Sequence, residues 1–341
     1  MTDFKVGIVG CGNIFPMHAF PVNDLEGAEL VALCDIKDDR VQERAEEFDS
    51  TPYKDYEKML DEEELDVVHV CTPHYLHAPI TIAAAEREIN VLTEKPMSIK
   101  LENAEAMIEA SERNGVTLGV IFQNHYNPGS VLIKDALDSG KLGSILAGKL
   151  EVTWDRSDEY YTQSDWKGTW DKEGGGVLID QAIHTMDLTR WFVGAEIDYV
   201  DAQIDNRAHE IIEVEDSAEG VIKYENGVVT SFHAINYYSY DAPVRIELDC
   251  EKGIARMEAD RATIEFDDGR KMIADRNPQE TFDYGDVKSY WGVSHVKQIK
   301  NYYQSLEQGI QPDITGKEAI KTQEMICAIY QSGKDGRRID F

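Results

Sequence analysis

Apolar and polar positions alternate in two distinct textures along the chain. In the first, short β-rich apolar runs at 4–9, 30–34, 67–71, 89–93 and 116–121 are separated by longer stretches with apolar residues three and four apart, at 38–48, 76–88 and 103–114. Strands alternating with helices predict a doubly wound, parallel α/β sheet over residues 1–122. Beyond Pro128 the texture changes. A helix is expected near 130–139, a strand at 145–154, then an aromatic and glycine-rich loop and a helix at 178–192. From 197 to 273 come strands joined by short turns, among them Glu225-Asn226-Gly227 and Asp267-Asp268-Gly269, whose Asn-Gly and Asp-Gly steps supply the positive backbone angles of hairpins. This reads as a large, mostly antiparallel sheet in a second, α+β domain, 123–341. The runs 214–224 and 228–235 mix apolar residues on both faces, so one sheet face is expected to serve self-association, as a homodimer or homotetramer. Helical stretches at 293–308 and 318–332 are expected to pack back on the first domain.

Composition narrows the function classes. The 341 residues are 42% apolar, enough for a core in each of two domains. With 65 acidic against 34 basic residues, the formal charge of −31 excludes nucleic acid and anionic membrane surfaces as natural partners. Five scattered cysteines, Cys11, Cys34, Cys71, Cys250 and Cys327, read as small buried hydrophobes in a reducing compartment. With no leader pattern at the start and no apolar run of spanning length, a cytoplasmic location is expected.

The candidate chemistry begins at Gly7-Ile8-Val9-Gly10-Cys11-Gly12-Asn13-Ile14-Phe15, between one predicted strand and a helix, followed by a second strand ending at Asp35. That wiring is a dinucleotide site. Gly10 supplies a turn closed to other residues, and Gly12 lets a pyrophosphate approach the amides of the following helix, with Asn13 and Ile14 lining the turn. Asp35 would accept hydrogen bonds from the adenosine ribose, which favours NAD over NADP. Phe15 replaces the usual third small residue and is expected to loosen helix-to-strand packing. A G-x-G turn without this context carries little information.

Three further groups carry candidate chemistry, two of them where strands should present ligands. Glu94-Lys95-Pro96 follows the run ending at Thr93, and Lys95 beside an oxidised nicotinamide should have a lowered pKa suited to a proton shuttle or to donating to a substrate oxygen. An ordinary surface salt bridge is the alternative. Thr72-Pro73-His74-Tyr75-Leu76-His77 ends another strand and could line the nicotinamide pocket, or simply lead into a helix. Gly174-Gly175-Gly176 opens the helix carrying Asp180 and His184, four apart and so on one face, where a carboxylate can fix the tautomer of a general base. A capping acid and a satisfied helical histidine would look the same. No third ligand stands at metal spacing, so no metal is expected. Tyr160-Tyr161 and Trp166-Lys167-Gly168-Thr169-Trp170 offer rings for apolar sugar faces, with Tyr161 and Trp166 as candidates, and Gln123 and His125 offer polar contacts for hydroxyls.

Taken together, the glycine turn, Thr72-Pro73 with His77, Glu94-Lys95-Pro96 and Asp180-x-x-x-His184 resemble the glucose-fructose oxidoreductase and inositol dehydrogenase family, Gfo/Idh/MocA. The closing segments His295-Val296-Lys297-Gln298-Ile299 and Ala328-Ile329-Tyr330-Gln331-Ser332 extend the resemblance to the last helix. It implies a Rossmann domain with an open-faced α+β domain, and hydride transfer between NAD(P) and a hydroxyl-bearing carbon of a sugar or cyclitol. Matched by motif, His184 would take the alcohol proton, Asp180 would orient it or bind substrate, and Lys95 would steady the developing alkoxide. His74 stands where many members carry Asn. The Gln123-Asn124 and 166–176 stretches look most like members acting on nucleotide-linked or N-acetylated sugars, although His125 and Asp180 replace a frequent Arg and Asn. One other function fits the same resemblance, a glycoside-cleaving enzyme that retains its nicotinamide; a cofactor sensor without chemistry is a third reading, against which Lys95, Asp180 and His184 argue.

Overall fold

A computed structural model describes residues 4–277, 279–280 and 292–341. The chain divides into two compact units, one of residues 1–123 with 280–320, the other of 124–279 with 321–341.

The first unit begins with β1 (Phe4–Val9), α1 (Pro16–Asn23), β2 (Ala28–Cys34), α2 (Asp38–Phe48), β3 (Thr51–Tyr53) and α3 (Tyr56–Glu62). It continues with β4 (Val67–Val70), α4 (His77–Ala85), β5 (Asn90–Thr93), α5 (Leu101–Asn114) and β6 (Leu118–Val120). The six strands are parallel in the order β3-β2-β1-β4-β5-β6. Chain order therefore reverses between β1 and β4, where a doubly wound sheet opens its ligand crevice. The strands are apolar on both faces because helices cover both. Two elements escaped the pattern. β3 is three residues long and contains Pro52, and α3 is a short helix capped by Asp55, whose side chain accepts from the Glu57 N–H at 3.0 Å.

Phe15 corrects an expectation. Its ring is fully buried with Val6, Ile8, Leu33 and Val41 and meets Phe48 edge-on, the centroids 5.6 Å apart. The helix-to-strand space that a small residue would close is filled by the ring, so packing there is tight rather than loosened.

The second unit opens with α6 (Pro128–Asp138), β7 (Ile145–Thr153), α7 (Asp158–Thr162) and α8 (Ile183–Val193). Seven strands follow: β8 (Ile197–Asp205), β9 (Ser217–Tyr224), β10 (Val229–Ile235), β11 (Arg245–Cys250), β12 (Gly253–Glu258), β13 (Arg261–Phe266) and β14 (Lys271–Ala274). α9 (Gly292–Gln308) lies in the first unit, where Ile299, Tyr302 and Tyr303 join the core of β1 and β5. α10 (Gly316–Asp335) and β15 (Ile339–Asp340) end the chain, and the division at 320/321 falls inside α10. The nine strands run in the order β14-β13-β12-β11-β7-β10-β9-β8-β15, antiparallel except for β7 beside β10. Gly227 (φ 88°) and Gly269 (φ 86°) sit at the two hairpin turns with the positive angles those turns require. The inner face, with Leu150, Ile222, Phe232 and Leu248, is buried and α8 packs on it at β7 and β11. The outer positions of β9 and β10 carry Glu219, Val221, Lys223, Val229, Ser231 and His233, a mixture of apolar and polar side chains.

Candidate active site

In the first unit the candidate residues gather at the carboxyl ends of β1, β2, β4 and β5. Gly10 has φ +100°, and a Cβ there would lie 2.5 Å from the Cys71 carbonyl oxygen, so the turn itself demands glycine. Gly12 differs. A Cβ there would meet nothing nearer than Arg40 Nη1 at 3.9 Å, so its bareness answers no neighbour in the protein and leaves room for a ligand. Asn13 beside it is exposed, and Ile14 packs half-buried on the core. Asp35 is buried, and its carboxylate accepts from Cys11 N–H (2.9 Å), Lys37 N–H (2.8 Å) and Arg40 Nη1 (3.1 Å). It thus ties the glycine turn to the end of β2. The Thr72 hydroxyl oxygen is buried with no hydrogen-bond partner among the described residues, as expected of a group reserved for a ligand. These features fit a dinucleotide.

His77 is fully buried after Thr72-Pro73, its Nδ1 2.7 Å from the Pro96 carbonyl oxygen and its Nε2 2.8 Å from that of Thr72. The ring pins the loop after β4 to the loop after β5. Glu94 is buried as well, and its Oε1 meets His18 Nε2 at 3.0 Å and His295 Nε2 at 3.4 Å while its Oε2 accepts the Lys95 N–H at 3.2 Å. Burial alone would raise the Glu94 carboxyl, but hydrogen bonds from His18 and His295 outweigh it and hold the group well below the usual carboxylate range. The half-buried Lys95 therefore rises from a turn clamped on a fixed anion.

In the second unit, Asp180 and His184 flank a change of helix type. Residues Val177–Ala182 form a π-helical segment that passes into α8 at Ile183, instead of the continuous α-helix read from the sequence. The Glu215 carboxylate accepts from Gly176 N–H (2.9 Å), Leu178 N–H (3.0 Å) and the Tyr330 hydroxyl (2.9 Å), and burial raises its pKa to about 7. Gly176 is obligatory there, since a Cβ on it would fall 1.9 Å from the Glu215 carbonyl oxygen.

Asp180 Oδ2 accepts three hydrogen bonds, from Tyr160 OH (2.5 Å), Lys167 Nζ (2.8 Å) and Gln181 Nε2 (2.7 Å), and Lys167 also donates to Tyr160 OH. Three donors on one oxygen favour the carboxylate form. Gln181 is oriented by Asn236, whose Nδ2 donates to Gln181 Oε1 at 3.1 Å. Burial disfavours the Lys167 ammonium, but the charge of Asp180 outweighs it and raises its pKa. The adjoining Glu173 is raised to about 8, by burial first and then by Asp180.

The remaining candidates fall in varied settings. Tyr161 is buried with Ile212 and Val214, its hydroxyl accepting from Asn236 Nδ2 at 2.7 Å. Trp166 is half-buried with Lys167 Nζ 4.9 Å from its ring centroid. His125 stacks on Trp191 with centroids 4.0 Å apart, and its Nε2 meets Asp187 Oδ2 at 2.5 Å. Gln123 is buried at the end of the first unit's opening segment. Sequence reasoning missed Lys167, Gln181, Asn236, Glu173 and Glu215 around Asp180, and His18 and His69 beneath Glu94. Beneath Glu94 the local signal was His69, polar within the apolar run Val67–Val70. No described cluster of His, Cys, Asp or Glu is arranged to hold a metal, and no described helix is long and apolar enough to cross a membrane.

Comparison with known proteins places both units. Residues 4–122 match the GFO_IDH_MocA profile, an oxidoreductase family with an NAD-binding Rossmann fold, and residues 131–256 match the GFO/IDH/MocA C-terminal domain. The chain belongs to the GFO/IDH/MocA oxidoreductase family. As a member it is an NAD(P)-dependent oxidoreductase whose first unit is the NAD-binding Rossmann domain. Among GFO/IDH/MocA relatives, D-apiose dehydrogenase of Paraburkholderia graminis is 27% identical, over 99% of this chain and 90% of its own. Myo-inositol 2-dehydrogenase of Thermotoga maritima is 26% identical, over 92% and 91% respectively. The crystal structure of the WlbA dehydrogenase from Bordetella pertussis, in complex with NADH and UDP-GlcNAcA, matches with a TM-score of 0.88 and 29% identity, covering 100% of this chain and 99% of that one.

Proposed function

We propose that this protein transfers a hydride between NAD, used in preference to NADP, and a hydroxyl-bearing carbon of a sugar, cyclitol or sugar derivative. The observation that carries the reading is the Tyr160–Lys167–Asp180–Gln181 cluster, which fixes one carboxylate four residues before His184. Fixed acids and bases are what proton transfer from an alcohol requires. The nicotinamide, when bound, supplies the hydride acceptor or donor. The residues that would hold the cofactor are Gly10, Gly12, Asn13, Ile14, Asp35, Thr72, Pro73, His77, Glu94 and Lys95. The proposed catalytic group is Lys95, Asp180 and His184. His184 takes the hydroxyl proton as base, Asp180 orients substrate or imidazole, and the Lys95 ammonium steadies the negative charge that develops on oxygen. Gln123, His125, Tyr161 and Trp166 complete the proposed substrate contacts, with Tyr161 and His125 acting through the side chains they anchor.

The relatives support this substrate class. Two carry names of dehydrogenases for a pentose and a cyclitol, and the WlbA dehydrogenase was crystallised with a nucleotide-linked sugar acid. The test is a panel of aldoses, polyols, cyclitols and nucleotide sugars with both cofactors, read at the absorbance of the reduced ring. Product release without net cofactor reduction would favour a glycoside-cleaving enzyme. With a substrate in hand, Lys95→Ala and His184→Ala are each expected to lower turnover by about two to four orders of magnitude while cofactor affinity changes far less. Near-normal turnover of Lys95→Ala would remove that lysine from the catalytic group.

A further inference from the structure

Beneath the carboxyl end of β5, buried side chains of the first unit form one hydrogen-bonded line that the proposed chemistry leaves unused. Tyr303 OH stands 2.9 Å from His69 Nε2, His69 Nδ1 stands 2.9 Å from His18 Nδ1, and His18 Nε2 stands 3.0 Å from Glu94 Oε1. Tyr303, His69 and His18 are at most 3% exposed and Glu94 is 7% exposed. The line draws on four elements far apart in sequence: α9, β4, α1 and the end of β5.

The direction of every hydrogen bond follows from the charge at one end. An ionised Glu94 only accepts, so His18 carries its proton on Nε2. Burial lowers the pKa of His18, and burial together with His18 lowers that of His69, which favours the neutral form of both rings. His18 Nδ1 is then a lone pair accepting from His69 Nδ1–H, and His69 Nε2 accepts the Tyr303 O–H. Each donor points toward Glu94, and the line offsets the desolvation of the anion without cancelling its charge. The other described titratable groups facing Glu94 in this unit are His295 on α9, Cys71 and His77 from the segment after β4, and the adjacent Lys95. Burial keeps Cys71 a thiol and lowers the pKa of His77.

In a doubly wound sheet the half built on β4, β5 and β6 takes the nicotinamide nucleotide. We propose that His18, His69 and Tyr303 are positioning residues that hold Glu94 as a fixed anion behind the nicotinamide half of the site, where its charge favours the cationic oxidised ring over the neutral reduced one. The inference rests on the NAD-binding fold and is independent of the substrate reading.

The test needs no substrate. Dissociation constants of the full chain for NAD⁺ and NADH are measured by fluorescence titration between about pH 6 and about pH 9. The wild-type ratio of the two is expected to stay flat across the range. Glu94→Gln should weaken NAD⁺ relative to NADH by roughly tenfold at every pH, the scale of one opposite charge acting through protein at several ångströms. In His18→Phe the carboxylate loses its nearest donor and takes up a proton more readily. The loss of NAD⁺ preference should therefore appear at the acid end and fade toward the alkaline end. His18→Gln, whose amide nitrogen can replace Nε2, should restore the flat profile. An unchanged ratio in Glu94→Gln overturns the proposal, as does a parallel loss of both affinities at all pH values in His18→Phe, the mark of a merely structural role. Should His18→Phe not fold, Glu94→Gln and His18→Gln decide the matter.

Discussion

Replacing Gly10 and Gly12 by alanine separates the demands of the fold from those of the ligand within three residues. At Gly10 the backbone angle of +100° is costly for any residue with a side chain, about 1 to 3 kcal/mol. The new methyl would also press on the Cys71 carbonyl at 2.5 Å, and that backbone is held in place by the Cys71 N–H donating to the Val9 carbonyl at 2.7 Å. Gly10→Ala should therefore lose several kcal/mol in all and melt well below wild type. At Gly12 the nearest atom is 3.9 Å away, so Gly12→Ala should stay within about 0.5 kcal/mol of wild type in stability. Its methyl instead occupies the space left for the pyrophosphate, and NAD affinity should fall at least about tenfold, or about 1.4 kcal/mol. Thermal melts without ligand and calorimetric NAD titrations measure the two effects separately. A Gly12→Ala protein that binds NAD as tightly as wild type refutes the close-approach argument, and one that melts as low as Gly10→Ala refutes the claim of open space.

Two further expectations concern charge. Asp35→Ser should narrow the proposed preference for NAD, because the carboxylate opposes a 2′-phosphate while Arg40, 3.1 Å from it, becomes available to that phosphate; dissociation constants for both cofactors check this, and an NAD-to-NADP ratio unchanged from wild type contradicts it. Glu173 binds its proton more tightly folded than unfolded, so its contribution to stability is fully present below the ordinary carboxylate pKa and is lost as pH rises through its folded value of about 8. Glu173→Gln should flatten this decline, so that its melting temperature exceeds wild type by more at pH 8 than at pH 5; denaturation curves with parallel pH dependence would exclude Glu173 as the titrating group.

The parallel sheet was legible because strands covered on both faces are continuous apolar runs, and 67–71 and 89–93 could hardly be read otherwise. The glycine turn, Asp35 and the strand-end positions of Thr72 and Lys95 followed from that wiring. The rest depended on distance along the chain. His18 finds Glu94 76 positions away and His69 finds Tyr303 234 positions away, separations no local pattern records. Lys167 was visible between Trp166 and Trp170, yet its carboxylate partner lies across a glycine run whose path is set by Glu215. The π-helical turn has the apolar spacing of an ordinary helix. Phe15 misled because a rule about small residues assumes the space is empty, and here the ring is the filling.

The placement of α9 has a consequence for how the protein is made. Ile299, Tyr302 and Tyr303 belong to the same core as Val6, Ile8 and Leu92, and the Phe4 and Tyr303 rings meet edge-on at 5.6 Å. On the ribosome these partners emerge only after residues 124–279 of the second unit have been synthesised. Until then the nascent nucleotide-binding sheet has an unsealed apolar flank, and His69 awaits its tyrosine. A fragment cut after residue 123 would be stranded in that unfinished state, prone to aggregate however complete its glycine turn, whereas adding back 292–308 as a separate peptide should restore its solubility and cooperative melting.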